Sequence, residues 1–240
     1  MWNAQNTLAG ETGPGESGLL LGIDTCGPSG SVALGRLTGG TVEILEQIEL
    51  EGRNYSATLV AAVANLLEHA GLALKDVGGI VAVSGPGSFT GVRVGLSAVK
   101  GLAEAAQIPA VAVSRLEVLA WKAGVGSAAL DAHRHEVFLR LGGTGGAARE
   151  LLAGVVELAA LRPAGAQIAL CDDAAVALLS AAWPDVQAVQ TGPPMAADAL
   201  RLCAVRVAQA DFVDLALLDG NYLRRSDAEI FGEAAKGHGA

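Results

Sequence analysis

The apolar positions of this chain fall into short continuous runs and one-sided rows, which lay out an alternation of strands and helices. Leu19 to Asp24 reads as a buried strand. Ser31–Leu37 and Thr41–Leu50 follow it around Gly39-Gly40, so three strands are predicted to form a meander. Leu59, Val60, Val63, Ala64 and Leu67 then recur at helical spacing behind two possible caps, Asn54 and Ser56, with Gly71 as a C-terminal stop. Ile80 to Val83 is the next apolar run, and Ser84-Gly85-Pro86-Gly87-Ser88 is a turn with two glycines free to take φ > 0. A helix capped by Ser88 or Thr90 is predicted to run to about Ala106, followed by a strand at Ala110–Val113 and a helix from Ser114 to about Ala123.

The second half is sparser. Ala123-Gly124-Val125-Gly126 is a candidate hinge, Ala128–Asp131 and Glu136–Leu141 are strands, and Gly142–Gly146 is a glycine-rich loop. Ile168–Cys171 is strand-like and Asp173–Ala182 helical. Pro193-Pro194 closes a loop before a last long helix, Met195–Ala210, with Leu200, Cys203, Val207 and Ala210 on one side. No internal repeat is visible by eye. Residues 1–18 are polar and glycine-rich and are expected to form a disordered tail; residues 226–240 are expected to form a mobile one.

Around Gly79–Gly101 the order is strand, glycine turn, helix. The free N–H groups of such a helix start favour an anion. The two familiar nucleotide loops do not fit, however. Gly91 is followed by Val92-Arg93 instead of Lys-Ser/Thr, and a G-x-G-x-x-G begun at Gly85 meets Thr90 in place of glycine. A bound phosphate and a turn that merely aims the helix both stay open. On the helix, Gly91, Gly95 and Ala98 form a small-residue stripe, with Gly101 nearby, and Val92, Leu96, Val99 and Ala103 form a second, apolar row. Interior glycines cost ~1 kcal/mol each against alanine, so another backbone must come close. Either the helix is buried on both sides within its own domain, or it packs on its sheet and offers the other side to a partner protein.

Composition narrows the function. The chain has 240 residues, 51% hydrophobic and 17% charged, with a net charge of −9 and 4% aromatics. That size allows one large or two small domains. The negative charge argues against gripping nucleic acid unaided, and the few aromatics argue against a base-stacking platform. No apolar stretch of about 18 residues is present, so no membrane span is expected. Cys26, Cys171 and Cys203 are an odd, scattered set, as expected of reduced thiols in the cytoplasm.

The run SGPGSFTGVRVGLSAVKGLA (Ser84–Ala103) closely resembles the signature of the TsaB (YeaZ) family, a subunit of the machinery that makes threonylcarbamoyladenosine in tRNA. LLLGIDT (Leu19–Thr25), ALDAHRHEVF (Ala129–Phe138) and NYLR (Asn221–Arg224) extend the resemblance over most of the chain beyond residue 18. The resemblance implies an α/β, actin-like (ASKHA, ribonuclease H-like) fold of two lobes, each a mixed sheet flanked by helices, here set at 19–123 and 124–225. It implies a non-catalytic subunit that binds and stabilises a TsaD-type catalytic subunit and works with a TsaE-type ATPase. The complex modifies adenosine 37 of tRNAs reading ANN codons and meets tRNA as a whole; this chain alone is expected to bind no cofactor. ATP enters through the ATPase, and a metal sits in the TsaD-type subunit. A homodimer is expected in isolation. The helices Asn54–Ala70 and Thr90–Ala106 are the expected four-helix interface with the partner, through Val60, Val63, Leu67, Gly91, Val92, Gly95, Leu96 and Val99.

Candidate chemistry is thin. Asp24 ends the first strand where actin-like kinases keep an aspartate near metal and phosphates, as the resemblance implies; otherwise it hydrogen-bonds the turn that follows. Ser88, Asp24 and Arg93 are the candidate contacts to a nucleotide or to a carboxylate at the subunit junction. Asp131, His133 and His135 alternate, so on a strand they share one face, either as a weak metal cluster or as a polar lining. The family reads Asp-Ala-Arg there; His133 stands at the arginine position and Arg134 is the candidate to take its role. The resemblance also places the two metal-holding histidines of TsaD at Arg115 and Leu119, neither of which is a ligand, so no metal site is expected. The rival readings are an ASKHA kinase or an M22-type peptidase acting alone.

Overall fold

The computed structural model describes residues 17–52, 54–142, 148–163 and 165–224. The expected C-terminal tail, the N-terminal tail up to residue 16 and all of the Gly142–Gly146 loop except Gly142 lie outside the described residues. Two five-stranded mixed sheets form the frame. The first holds β1 (Ser17–Asp24), β2 (Ser29–Thr38), β3 (Thr41–Glu51), β4 (Val77–Val83) and β5 (Ala110–Val113), in the order β3-β2-β1-β4-β5. β1 to β3 are the antiparallel meander, while β4 and β5 add in parallel. β1 and β4 are central and covered on both faces, which is why both read as continuous apolar runs.

The second sheet holds β6 (Ala128–Asp131), β7 (Glu136–Leu141), β8 (Arg149–Gly154), β9 (Gln167–Leu170) and β10 (Gln187–Gln190), in the order β10-β9-β6-β7-β8. Read from the other edge, it is again a three-strand meander followed by two parallel strands. The fold is therefore a two-lobe actin-like one, and the repeat that the letters conceal is a repeat of topology. β8 and β10 are the two edges of this sheet. Both are short and partly exposed, and neither carries a periodic apolar signal, which is why the pattern does not predict them.

Among the described residues six α-helices cover the sheets: α1 (Tyr55–His69), α2 (Phe89–Ala106), α3 (Arg115–Lys122), α4 (Val155–Ala160), α5 (Asp173–Ala182) and α6 (Ala196–Ala208). Ser88, Ser114 and Asp172 cap α2, α3 and α5 through side-chain acceptors. Asn54 holds the cap position of α1 without a side-chain bond. α1 and α2 pack together on the first sheet, and a separate helix, α6, also packs across that sheet. The first sheet ends with β5 at Val113 and the second begins with β6 at Ala128, but the helices do not divide in the same way. α6 shares the first core with Leu20, Leu34 and Val81. Leu116, Leu119 and Ala120 of α3 pack instead with Ala128, Leu130 and Ala169 of the second sheet. Trp183 anchors the other face of that sheet, its indole N–H donating to Leu158 O at 2.8 Å. No described helix is long and apolar enough to cross a membrane.

Candidate functional site

The end of β1 carries a buried polar cluster. Asp24 is 1% exposed, and its Oδ1 accepts the Cys26 N–H at 2.8 Å, holding the turn that follows the strand. Its Oδ2 faces the Nε of Arg115, the first residue of α3, at 3.6 Å, and Arg115 is itself 5% exposed. Neither atom has a hydrogen-bond partner. The guanidinium fits because position 27 is glycine: a Cβ there would overlap Arg115 Nη2. Tyr55 O–H, at the start of α1, donates to Gly27 O at 2.8 Å and holds the same loop. Burial, and then the Asp24 charge, push the Cys26 thiol well above its ordinary value and Tyr55 up to about 12.

α2 lies against this turn at backbone distance. A Cβ on Gly91 would overlap the Thr25 carbonyl oxygen, and one on Gly95 would overlap Thr25 Oγ1, which itself donates to Gly91 O at 2.7 Å. The small residues thus seat α2 on the end of β1, and the helix is buried on its own sheet. This corrects the expected interface. Val99 is 0% exposed, and Val92, Leu96, Gly91, Gly95, Val63 and Leu67 are also buried; Val60 alone of the eight is exposed, at 59%. Val63 and Leu67 show only their edges, to an open apolar groove of about 550 Å³ that Val60, Leu72, Leu74 and Leu102 complete. The outer side of α2 carries Thr90, Arg93, Ser97, Gly101 and Glu104.

The second lobe also departs from expectation. Residues 133–135 are not a strand: His133, Arg134 and His135 all take positive φ (60°, 57° and 61°) in a tight β6–β7 turn. Asp131 Oδ1 accepts the His133 N–H at 2.8 Å, and this bond ends the strand and breaks the alternation. His133 Nδ1 sits 2.9 Å from Asp131 Oδ2, and all three turn residues are exposed. Among the described residues no three His, Cys, Asp or Glu side chains gather closely enough to hold a metal. Arg115 is in the ion pair and Leu119 in the core, so the donors at those two positions do not fit one.

A carboxylate that the pattern does not single out ties the lobes together. Glu150 on β8 accepts Ser114 Oγ at 2.8 Å, Asn221 Nδ2 at 2.6 Å and Arg140 Nη1 at 2.8 Å. Arg140 and Glu150 are cross-strand partners, ten residues apart around a glycine loop. That opposite-charge spacing is a signal that hairpin arithmetic would have caught. The NYLR segment runs across the same junction. Asn221 N–H donates to Ser84 O at 2.7 Å, the Tyr222 ring meets Phe89 at 5.0 Å, and Arg224 pairs with Glu136.

A family model described as TsaD, tRNA N6-adenosine threonylcarbamoyltransferase, matches residues 43–169, just over half of the chain. The crystal structure of a Pseudomonas aeruginosa protein described as similar to peptidase YeaZ superposes with a TM-score of 0.70 at 30% identity, covering 86% of this chain and 100% of that one. The chain belongs to the TsaB (YeaZ) family. A second structure, YeaZ from Pseudomonas aeruginosa, superposes with a TM-score of 0.66 at 29% identity over the same shares. The curated tRNA threonylcarbamoyladenosine biosynthesis protein TsaB of Bacillus subtilis is 40% identical over 126 residues, 51% of this chain and 54% of that protein. The TsaB of Escherichia coli is 36% identical over 125 residues, 50% of this chain and 52% of that protein. This TsaB-family chain thus spans about half the length of the curated relatives it matches. It also matches a tRNA N6-adenosine threonylcarbamoyltransferase of Caulobacter vibrioides, at 32% identity over 48% of this chain and 36% of that one.

Within this TsaB-family fold the candidate residues separate. Asp24 is locked inside, in line with its turn-holding alternative. Ser88 is spent on the α2 cap. Arg93 is exposed on the outer side of α2, with its guanidinium 3.8 Å from the centre of the Phe89 ring.

Proposed function

We propose that this chain is a non-catalytic subunit in the formation of threonylcarbamoyladenosine at adenosine 37 of tRNAs that read ANN codons. It binds and stabilises a TsaD-type transferase subunit and acts with a TsaE-type ATPase in the cytoplasm, meeting tRNA through the assembled complex. ATP belongs to the ATPase, and a catalytic metal to the TsaD-type subunit. Likeness to curated TsaB proteins named for this biosynthesis carries the reading. Two features of the site support the silent half of it. Arg115 fills the space beside Asp24 that a metal or phosphate would need, and Leu119 is core. A kinase or peptidase acting alone finds no free acid or ligand set there.

The partner-facing surface in this reading is the exposed side of α1 and α2: Val60 and its apolar groove at one end, the outer side of α2 at the other. A second copy of the chain is expected to use the same side when the partner is missing. The reading is tested by depleting the chain in its host and measuring threonylcarbamoyladenosine in bulk tRNA by nucleoside mass spectrometry. The modified nucleoside is expected to disappear and to return with the native chain; unchanged levels after depletion would refute the role.

A further inference from the structure

The outer side of α2 has an open pocket of about 310 Å³. Arg93 is held at its wall by aromatic stacking, its guanidinium 3.8 Å from the Phe89 ring centre and 6.0 Å from that of Tyr222. Stacking fixes the guanidinium plane while leaving the in-plane N–H fork free. Lys100 lies two helical turns further along the same wall, with Ser97 between them. Among the described residues neither Arg93 nor Lys100 has a carboxylate partner, whereas Arg36, Arg115, Arg140, Arg201, Arg206 and Arg224 each have one. Two unmatched cations on a preorganised wall, in a chain of net charge −9, call for an anion from outside.

The pocket also limits which anion. Asp219 lines it as well, with its Oδ1 accepting the Gly220 N–H at 2.7 Å and so fixed in place. A polyanion such as a nucleoside triphosphate or an RNA backbone would bring several charges against Asp219 and the negative field of the whole chain. A single carboxylate brings one, and its two oxygens match the guanidinium fork. Ser97 lines the pocket, and Gly101, also small and exposed, follows one turn further along α2, so a protein can approach this side of the helix closely. We propose that the Phe89–Arg93–Lys100–Tyr222 pocket is a socket for an aspartate or glutamate side chain of the partner subunit. The inference rests on the pairing reading above and adds its charge anchor.

The test is titration of the host's TsaD-type subunit into the native chain and its variants, at low and high salt. Native affinity is expected to fall with salt. Arg93→Glu is expected to weaken pairing by about 100-fold and Lys100→Glu by about 10-fold. Arg36→Glu, on β2 away from the pocket, is expected to pair as the native chain does. Native pairing with Arg93→Glu within about threefold of it would overturn the socket alone. No pairing by the native chain at either salt would overturn the pairing reading and the socket together. Binding of ATP or inorganic phosphate by the native chain alone, lost in Arg93→Gln, would overturn the carboxylate assignment in favour of a phosphate ligand.

Discussion

Two neighbouring strand-to-helix turns of the first sheet use an arginine in opposite ways. β4 leads through a serine cap into α2, and Arg93, one turn in, points out and lies on an aromatic ring. β5 leads through a serine cap into α3, and Arg115, its first residue, points in and faces Asp24. The turns touch, since Arg115 N–H donates to Gly85 O at 2.6 Å. What separates the two arginines is the chain around them. Beside Arg115 stand a buried carboxylate and a glycine without a side chain; Arg93 stacks on Phe89 in an open pocket and has no carboxylate paired with it among the described residues. A buried guanidinium requires a counter-charge, so the inner arginine is consumed by the fold and the outer one is available to a partner. Asp24, at the end of β1, is taken up by a turn hydrogen bond and an ion pair.

The comparison is broken most severely from the inner side of α2. Val99→Asp places a charge where no surface is exposed, and is expected to cost at least about 4 kcal/mol and to unfold the first lobe. Ser97→Asp, on the outer side of the same helix, is expected to leave the unfolding free energy in urea within about 0.5 kcal/mol of native. Next comes the inner arginine. Arg115→Met strands the Asp24 charge and is expected to cost about 3–5 kcal/mol in urea denaturation, while the double variant Asp24→Asn/Arg115→Met is expected to recover most of that loss. Equal losses in the single and double variants would mean that the pair is not the source.

A smaller effect sharpens the same contrast through pH. Burial holds the Cys26 thiol well above its ordinary value of 9.0 and raises Cys203 to about 12. Above about pH 9 the unfolded chain has released these protons and the folded chain has not, so stability falls as pH rises. For Cys203 the expected slope is about 1.4 kcal/mol per pH unit, up to about pH 12, and the raised Cys26 thiol adds to the fall in the same direction. Tyr55, also raised to about 12, steepens the fall above its ordinary value of 10.0. Asp24 raises both Cys26 and Tyr55, so Asp24→Asn is expected to make the decline shallower; an unchanged slope would disconnect the aspartate from them.

Most strands and five of the helices were legible because their apolar runs and caps are local. Ser88-Phe89-Thr90 shows a helix start in its letters, and Leu19 to Asp24 shows a buried strand. The crossing of α3 and α6 between lobes was not legible, since Leu200 and Val207 announce an apolar face without naming the sheet that covers it. His133-Arg134-His135 misled because alternation implies one face only on an extended backbone, and the Asp131 bond to His133 N–H bends it. The inner side of α2 misled for a related reason. A small-residue stripe says that something comes close, and here that is Thr25 of the same lobe. Of the site, Asp24 was visible as a position, but its partner Arg115 lies 91 residues away in sequence and on another element.

The most direct test of a silent subunit replaces its one enzyme-like position. The Asp24→Asn/Arg115→Met variant would be combined with the host's TsaD-type and TsaE-type subunits, tRNA and threonylcarbamoyl-adenylate, and the rate of threonylcarbamoyladenosine formation compared with that of the native chain. A rate within about twofold of native, from a variant that still pairs, is the expected result. A loss of about 100-fold or more with pairing intact would show that Asp24 and Arg115 act in the chemistry, and would contradict the reading of this chain as a non-catalytic subunit.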